Sequence, residues 1–302
     1  MKIGIIGLGD IAKKAYLPVF SSINNVEFHL YTRNQIVLAE VANTYRFHHI
    51  HSSLQSLIES GIEGAFVHSS TESHEEIIRE LLTNNIHVYV DKPITYYYEA
   101  SKELVELAKS KNLKLMVGFN RRYAPVYQKL KELDNPNMII VQKNRSSLPN
   151  DSRTFVMDDF IHVIDTMRFL FPHTIEELSV QGRKKDGMLY HVVVQFISSS
   201  GSVAIGIMNR DSGTREEKVE VMSPTEKRIV YNVADLEIHK NGEVIKAAAN
   251  DWEPTLHKRG FEQMITEFIE TIRTNQELPL SSYDALETHK ICEQIIEKLA
   301  GN

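Results

Sequence analysis

The sequence predicts a two-part α/β protein: an N-terminal doubly wound parallel sheet of the Rossmann type, followed by an α+β domain whose sheet is largely antiparallel. Three observations carry this. Short apolar runs alternate with amphipathic stretches over the first ~120 residues, as in parallel βαβ units. A glycine-rich turn, Gly7-Leu8-Gly9-Asp10-Ile11-Ala12, follows the first run directly. Beyond Arg122 the pattern changes to adjacent strand-like runs separated by short turn signals.

In the first part, strands are expected at 2–7, 26–31, 64–68, 87–90 and 114–117, and helices near 11–21, 54–59, 72–83 and 97–110. Ile3–Ile6 and Val88–Val90 are short and rich in β-branched residues, as befits strands buried on both faces. In the second part, helices are expected over 125–133 and 155–171, the latter stopped by Pro172, with a strand over 138–142 between them. Several strands then run from 175 to 239, punctuated by Gly182, Asp186-Gly187, Ser198–Ser202, Ser212-Gly213 and Ser223-Pro224. Helices over 256–275 and 283–299 finish the chain. The domain boundary is placed near residue 120, giving 1–120 for the dinucleotide-binding domain and 121–302 for a substrate and oligomerisation domain.

Composition narrows the function classes. The 302 residues suffice for two domains, with 42% hydrophobic and 25% charged residues, ordinary for a folded water-soluble chain. No apolar run reaches the ~18 residues of a membrane span. The strand-like run at Lys2–Ile6 leaves no room for a signal peptide, and the single cysteine, Cys292, excludes a disulfide framework. A cytoplasmic protein is expected. The net charge of −6 gives no support for nucleic-acid binding.

The glycine motif has a physical reading. Gly7 permits the tight turn out of the strand, Gly9 lets the backbone approach a pyrophosphate, and Ala12 lets the helix pack closely on the sheet. The N–H groups at the helix start, around Asp10 and Ile11, then face the phosphates. An acid at the tip of the second strand would bind the adenosine ribose. Here the tip reads Tyr31-Thr32-Arg33-Asn34, without an acid. Arg33 can pair with a 2′-phosphate and Thr32 can donate a hydrogen bond, so NADP is favoured over NAD. The bland alternative is that Arg33 stacks on adenine or is solvated.

Lys92 directly follows the strand 87–90, at the sheet edge where open α/β sheets bind ligands. Pro93 holds Lys92 in an extended backbone state, and Asp91 is placed to orient it or to meet cofactor. Further along, Asp158, His162 and Asp165 fall within a ~60° stripe of one helix at about 100° per residue. A carboxylate near His162 would favour its charged form. Asp159 is off the stripe and is given no catalytic role. Ser69 and Ser70 follow the fourth strand, where cofactor contacts are expected. Asn120 and Arg121 can line a cofactor or substrate cleft, while Arg122 can equally anchor the domain junction. His48, His49 and His51 sit in a helix-connecting region without metal spacing, and no metal site is assigned. Without further context, the stripe reads equally as a wet helix face and Lys92 as a loop lysine.

These residues together resemble the Gfo/Idh/MocA oxidoreductases. The ordered series is Gly7–Ala12, Val67–His74 with Ser69, Ser70 and His74, Val90-Asp91-Lys92-Pro93, Val117–Tyr123, and the Asp158…His162…Asp165 helix. Asp251-Trp252-Glu253-Pro254 with Lys258–Phe261 is similar to the MviM-like branch. The resemblance implies Lys92, Asp158 and His162 as catalytic residues, with His162 facing Lys92 across one cleft. It implies NADP or NAD as cofactor, with Gly7, Gly9, Asp10, Ile11, Thr32, Arg33, Ser69, Ser70, His74, Asp91, Lys92, Asn120 and Arg121 around it. It also implies a sugar- or polyol-like small-molecule substrate and a homodimer or homotetramer. The chain departs from the family pattern in Asp91 for the usual Glu, in Ser69-Ser70 for a Pro or Asn, and in Phe160 for a Gly, the last expected to reshape the substrate pocket. Two other functions remain open on the same fold: a non-catalytic nucleotide-binding sensor, and a reductase of C=C or C=N bonds.

Overall fold

The protein is described by a computed structural model covering residues 1–247 and 251–301. The chain forms two compact units, Met1–Gly118 with Phe261–Glu287, and Phe119–Gly260 with Thr288–Asn302. Among the described residues, no helix is long and apolar enough to cross a membrane.

The first unit is built on β1 (Lys2–Ile6), β2 (Glu27–Tyr31), β3 (His49–His51), β4 (Gly64–Val67), β5 (His87–Val90) and β6 (Leu115–Val117). Their order is β3-β2-β1-β4-β5-β6, and every pairing is parallel. The order reverses between β1 and β4, the position at which such sheets open a ligand crevice. The connecting helices are α1 (Leu17–Phe20), α2 (Gln35–Tyr45), α3 (Leu54–Glu59), α4 (His74–Thr83) and α5 (Tyr98–Ser110). Ile3, Ile5, Phe66, Val88 and Val90 are fully buried, because helices cover both faces of the sheet.

In the first unit, two elements lie where the hydrophobic pattern gives none. Helix α2 is capped by Asn34, whose side chain accepts hydrogen bonds from the Ile36 and Val37 amides. Its periodicity is blurred by Ile36, which is 81% exposed. His49 and His51, expected in a connecting region, instead lie in β3, a three-residue edge strand paired with β2. It has too few apolar residues to read as a strand.

The second unit begins with α6 (Pro125–Lys131), β7 (Met138–Asn144) and α7 (Ser152–Phe155). A π-helical turn, Val156–Phe160, leads into α8 (Ile161–Leu170). Strands β8 (Glu177–Lys185), β9 (Met188–Ile197), β10 (Val203–Asn209), β11 (Glu216–Met222), β12 (Lys227–Tyr231), β13 (Asp235–Lys240) and β14 (Glu243–Ala247) follow. The eight-stranded sheet has the order β14-β13-β12-β11-β7-β10-β9-β8; only β7 and β10 pair in parallel. The helix expected over 256–275 is interrupted at Arg259-Gly260, giving α9 (Thr255–Lys258) and α10 (Phe261–Thr274), before α11 (Ser282–Ala300) ends the chain.

Helix α8 packs on β7 and β10. The close approach depends on Gly206, where a Cβ would lie 2.4 Å from Met167 Sδ and 3.0 Å from Val163 Cγ1. Gly206→Val should therefore lower stability by about 1–3 kcal/mol through overpacking, seen as a lower urea midpoint. An unchanged midpoint would show that α8 is not held this tightly.

In the first unit, His68 is only 3% exposed, its ring is 3.8 Å from that of Tyr16, and neither ring nitrogen has a hydrogen-bond partner among the described residues. Burial, reinforced by His74, pushes its pKa from 6.5 down to about 3. Below pH 6.5 the unfolded chain therefore takes up a proton that the folded chain refuses, so stability falls as pH drops from 6.5 toward 3. The loss at pH 5 is about 2 kcal/mol from this group. Urea unfolding at pH 7 and pH 5 should show a smaller pH effect in His68→Phe than in the wild type; equal effects would remove His68 as a source.

Candidate functional site

The carboxyl end of the parallel sheet opens a cavity of about 390 Å³, lined by Gly7, Gly9, Thr32, Arg33, Ser69 and Ser70. All six are residues that the sequence nominates. Gly7 has a φ of +86°, and a Cβ there would fall 2.5 Å from the Ser69 amide nitrogen. The β1 and β4 loops can meet only because Gly7 has no side chain. A Cβ on Gly9 would meet nothing within 4 Å, so the backbone there stands open to an approaching phosphate. The residues present thus fit a dinucleotide. Tyr31, Ser73 and Glu76 also line the cavity. Glu76 carries no distinguishing sequence signal, because an acid in the first turn of α4 reads as a response to the helix dipole.

Other nominated positions do different work. The Asp10 carboxylate accepts from Lys14 Nζ at 2.8 Å on the exposed surface, and Ile11 is also exposed. Neither side chain lines the cavity, which leaves their backbone as the part near the phosphate position. His74, expected among the cofactor contacts, is 1% exposed; its ring bridges the carbonyls of Pro93 (3.0 Å) and Ser69 (3.1 Å). It ties the loop after β4 to the loop after β5 and has no surface to offer a ligand.

Lys92 leaves the end of β5 at the same edge of the sheet, and its bond to Pro93 is cis. Beside it the Asp91 amide donates to the Val67 carbonyl at 3.0 Å, and the Asp91 carboxylate accepts from the Tyr16 hydroxyl at 3.3 Å. Burial raises the Asp91 pKa, against the opposing pull of Lys92 and His74. The Tyr16 hydroxyl is 2.7 Å from that of Tyr89. Burial, then the Asp91 charge, hold Tyr16 protonated well above the ordinary tyrosine range. Asp91 is therefore anchored from beneath, at the root of the Lys92 loop.

In the second unit, the turn Asn120–Tyr123 and the start of α8 carry the remaining nominated residues. Asp158 and His162 are half-buried, whereas Asp165 is 1% exposed, so the expected polar row is split. Asp165 turns inward, accepting from Arg122 Nη2 at 2.7 Å and Nε at 2.9 Å, and from Thr288 Oγ1 at 3.1 Å. The π-helical turn accounts for part of the split: it alters the angular step before α8, so a uniform 100° per residue does not hold from Asp158 onward. Phe160, expected to reshape the pocket, is fully buried.

Arg121 is buried, and its guanidinium is already engaged. Nε and Nη2 grip Glu217 at 2.5 and 2.6 Å, and Nη1 donates to His162 Nδ1 at 2.8 Å. Tyr127 donates to the same Glu217 carboxylate at 2.9 Å. Glu217 keeps its charge, with a pKa lowered to about 2: burial opposes this, but the attraction and hydrogen bonds of Arg121 outweigh it. Asn120 Nδ2 donates to the Arg259 carbonyl at 2.8 Å. Next to this pair Lys143 bonds to Asp159, which also accepts from Arg145 Nε at 3.2 Å. Burial and the Arg121 charge bring the Lys143 pKa down to about 7. Glu217, Tyr127 and Lys143 were missed because their partners are 16 to 96 positions away. In the C-terminal segment similar to the MviM-like branch, Trp252 is 91% exposed and His257 Nε2 lies 3.6 Å from Glu253.

One group of potential metal ligands occurs among the described residues, away from these features. Glu27, His29 and His49 bring ligand atoms within 4.8 Å of one another at the β2–β3 edge. The His29 and His49 rings are stacked at 4.6 Å, and Lys2 Nζ stands 3.9 Å from the Glu27 carboxylate. Parallel rings aim their lone pairs alongside each other, and the lysine already supplies a cation.

Comparison with known proteins places this architecture. Residues 1–119 match the oxidoreductase family Gfo/Idh/MocA, described as an NAD-binding Rossmann fold, and residues 125–242 match the YceM-like C-terminal domain. YceM of Salmonella typhimurium is 32% identical over 99% of this chain and 97% of its own length. The crystal structure of a dehydrogenase, MviM, from Clostridium difficile superposes with a TM-score of 0.94 at 34% identity, covering 99% of both chains. A myo-inositol 2-dehydrogenase of Thermotoga maritima is 25% identical over 60% of this chain and 58% of its own. The chain belongs to the Gfo/Idh/MocA family of oxidoreductases, with a YceM-like C-terminal domain.

Proposed function

We propose that the protein transfers a hydride between a nicotinamide dinucleotide, preferentially NADP(H), and a hydroxyl or carbonyl carbon of a sugar- or polyol-like molecule. The observation that carries this reading is the conjunction, at one edge of the parallel sheet, of the open Gly7–Gly9 backbone with the loop that presents Lys92. The similarity to a myo-inositol 2-dehydrogenase supports a polyol-like substrate.

Gly7 and Gly9 admit the pyrophosphate, Ser69 and Ser70 flank it, and Thr32 and Arg33 take the adenosine ribose. When bound, the nicotinamide supplies or accepts the hydride. Lys92 gives its proton to the carbonyl oxygen during reduction, or receives the hydroxyl proton during oxidation. His162 serves the same reaction, and Asp158, one turn earlier, biases the position of His162. The half-buried apolar residues Ile140, Val193, Ile205 and Ile207, on one face of the eight-stranded sheet, suit a homodimer or homotetramer.

Two experiments test these assignments. Arg33 lines the groove without an acid at the strand tip, because Asn34 is spent on capping α2. Glu76 brings an opposing charge to the same wall, so Arg33 has to outweigh it for the 2′-phosphate to be preferred. NADPH should bind more tightly than NADH, and Arg33→Ala should abolish the difference. Equal or tighter NADH binding by the wild type overturns the NADP assignment.

With a substrate found by screening polyols and sugars, Lys92→Ala and His162→Ala should each lower kcat by about 10²–10⁴-fold, with cofactor affinity nearly unchanged. The double variant should lose less than the product of the two, as groups serving one chemical step do. Full turnover by Lys92→Ala would assign the proton to another residue; absence of turnover on any hydroxyl or carbonyl compound would favour a nucleotide sensor.

A further inference from the structure

We infer that Arg121 is a positioning residue that fixes the tautomer of His162, holding the ring neutral with its proton on Nε2. The inference rests on the dehydrogenase reading only for its consequence in the reaction; the tautomer itself follows from geometry in the second unit.

A guanidinium has five N–H donors and no acceptor. Arg121 Nη1 stands 2.8 Å from His162 Nδ1, so Nδ1 must be the acceptor and carries no proton. The ring proton is then on Nε2. A charged ring would need a second proton on Nδ1, pointing at a fixed cation. Arg121 cannot easily turn away. Its other two donor positions are locked bidentate to Glu217, a geometry that fixes the plane of the fork. Tyr127 donates to the same Glu217 Oε1 that Arg121 Nε holds.

The elements packed on α8 bring the following charged and titratable groups. The Asn120–Tyr123 turn brings Arg121 and Arg122, the latter paired with Asp165 of α8 itself. From β7 comes Lys143, opposite Glu217 in register and bonded to Asp159 of the π-helical turn. Asp158 lies one turn before His162, α6 contributes Tyr127, and β10 has no titratable residue. The charge in direct hydrogen-bond contact with Nδ1 is positive. It opposes the imidazolium that a nearby carboxylate would otherwise favour.

Within the proposed reaction this gives His162 the part of a neutral ring with no acidic proton to lose, and leaves the mobile proton to Lys92. On reduction, hydride adds to the carbonyl carbon, the oxygen takes a proton from the Lys92 ammonium, and the amine is reprotonated from water. His162 keeps its proton throughout.

The test is ¹⁵N NMR of histidine-labelled protein without substrate, with the His162 signals assigned by their loss in His162→Gln. At pH 7 the wild type should show an unprotonated Nδ1 and a protonated Nε2 at His162; an imidazolium, or a protonated Nδ1, overturns the inference. In the double variant Arg121→Met/Glu217→Gln, which removes the pair without stranding a buried charge, the His162 pKa should rise by about one unit or more and Nδ1–H should become populated. An unchanged tautomer and pKa in the folded double variant would overturn it too. Arg121→Lys, which keeps the charge, should leave the tautomer unchanged. If the double variant does not fold, the wild-type spectrum decides alone. Because no substrate is involved, failure here would leave the dehydrogenase reading intact, and absence of turnover would leave the tautomer assignment intact.

Discussion

Arg121 and Glu217 form a largely buried ion pair, and a charge in such a place is tolerated only while its partner stays. Removing one member of a buried pair typically costs about 3–5 kcal/mol. The pair therefore acts as a mutual constraint on the elements that carry it. It fixes the Asn120–Tyr123 turn to β11, and through the hydrogen bond to His162 it fixes the turn to α8. Lys143, facing Glu217 across the β7–β11 ladder, extends the constraint to Asp159 and the π-helical turn. Four separate stretches of chain thus meet in one alternating set of charges, each needing the next.

The first unit handles buried polar groups in a different way. Its sheet end holds His68 and Tyr16, which burial keeps uncharged, and Asp91, which burial presses in the same direction. Neutral aromatic and imidazole rings stack where the second unit would place an ion pair: Tyr16 lies against His68 and meets Phe261 edge-on at 5.4 Å. The uncharged His68 ring lines the groove itself, which suits an expected ligand that brings its own phosphate charges.

Both units place a π-helical turn where a helix begins, at Ala12–Tyr16 after the glycine loop and at Val156–Phe160 before α8. Such turns add a residue to the helical circuit and re-aim the side chains that follow, and they recur at functional sites. In the second case the turn points Asp159 inward to Lys143 while Asp158 and His162 stay half-buried. A single regular helix would not hold adjacent acids in such different roles.

Much of this was legible in the sequence because it depends on local rules. The parallel strands follow from period and β-branching, and the nucleotide groove from the spacing of Gly7 and Gly9, whose missing side chains answer a local steric need. The missing acid after Tyr31 was equally plain, as was Lys92 at the strand end. The polar face of the Asp158–Asp165 segment was visible as a stripe, but which of its residues point outward was not, because the π-helical turn has no signature in hydrophobic period. Helix α2 was hidden by an exposed isoleucine, β3 by its histidines, and the inward role of His74 by its place within a motif that looked wholly functional. The Arg121–Glu217–His162 arrangement lay beyond reach altogether. Its members are 41 and 96 positions apart in the chain, and nothing in local propensity or spacing says that a glutamate on one strand will be buried against an arginine from a distant turn. Sequence by itself determined the backbone cradle and the polar side chains offered near it; only tertiary structure decided which charges face each other, because Coulombic pairing acts through space and is set by the packing of remote elements.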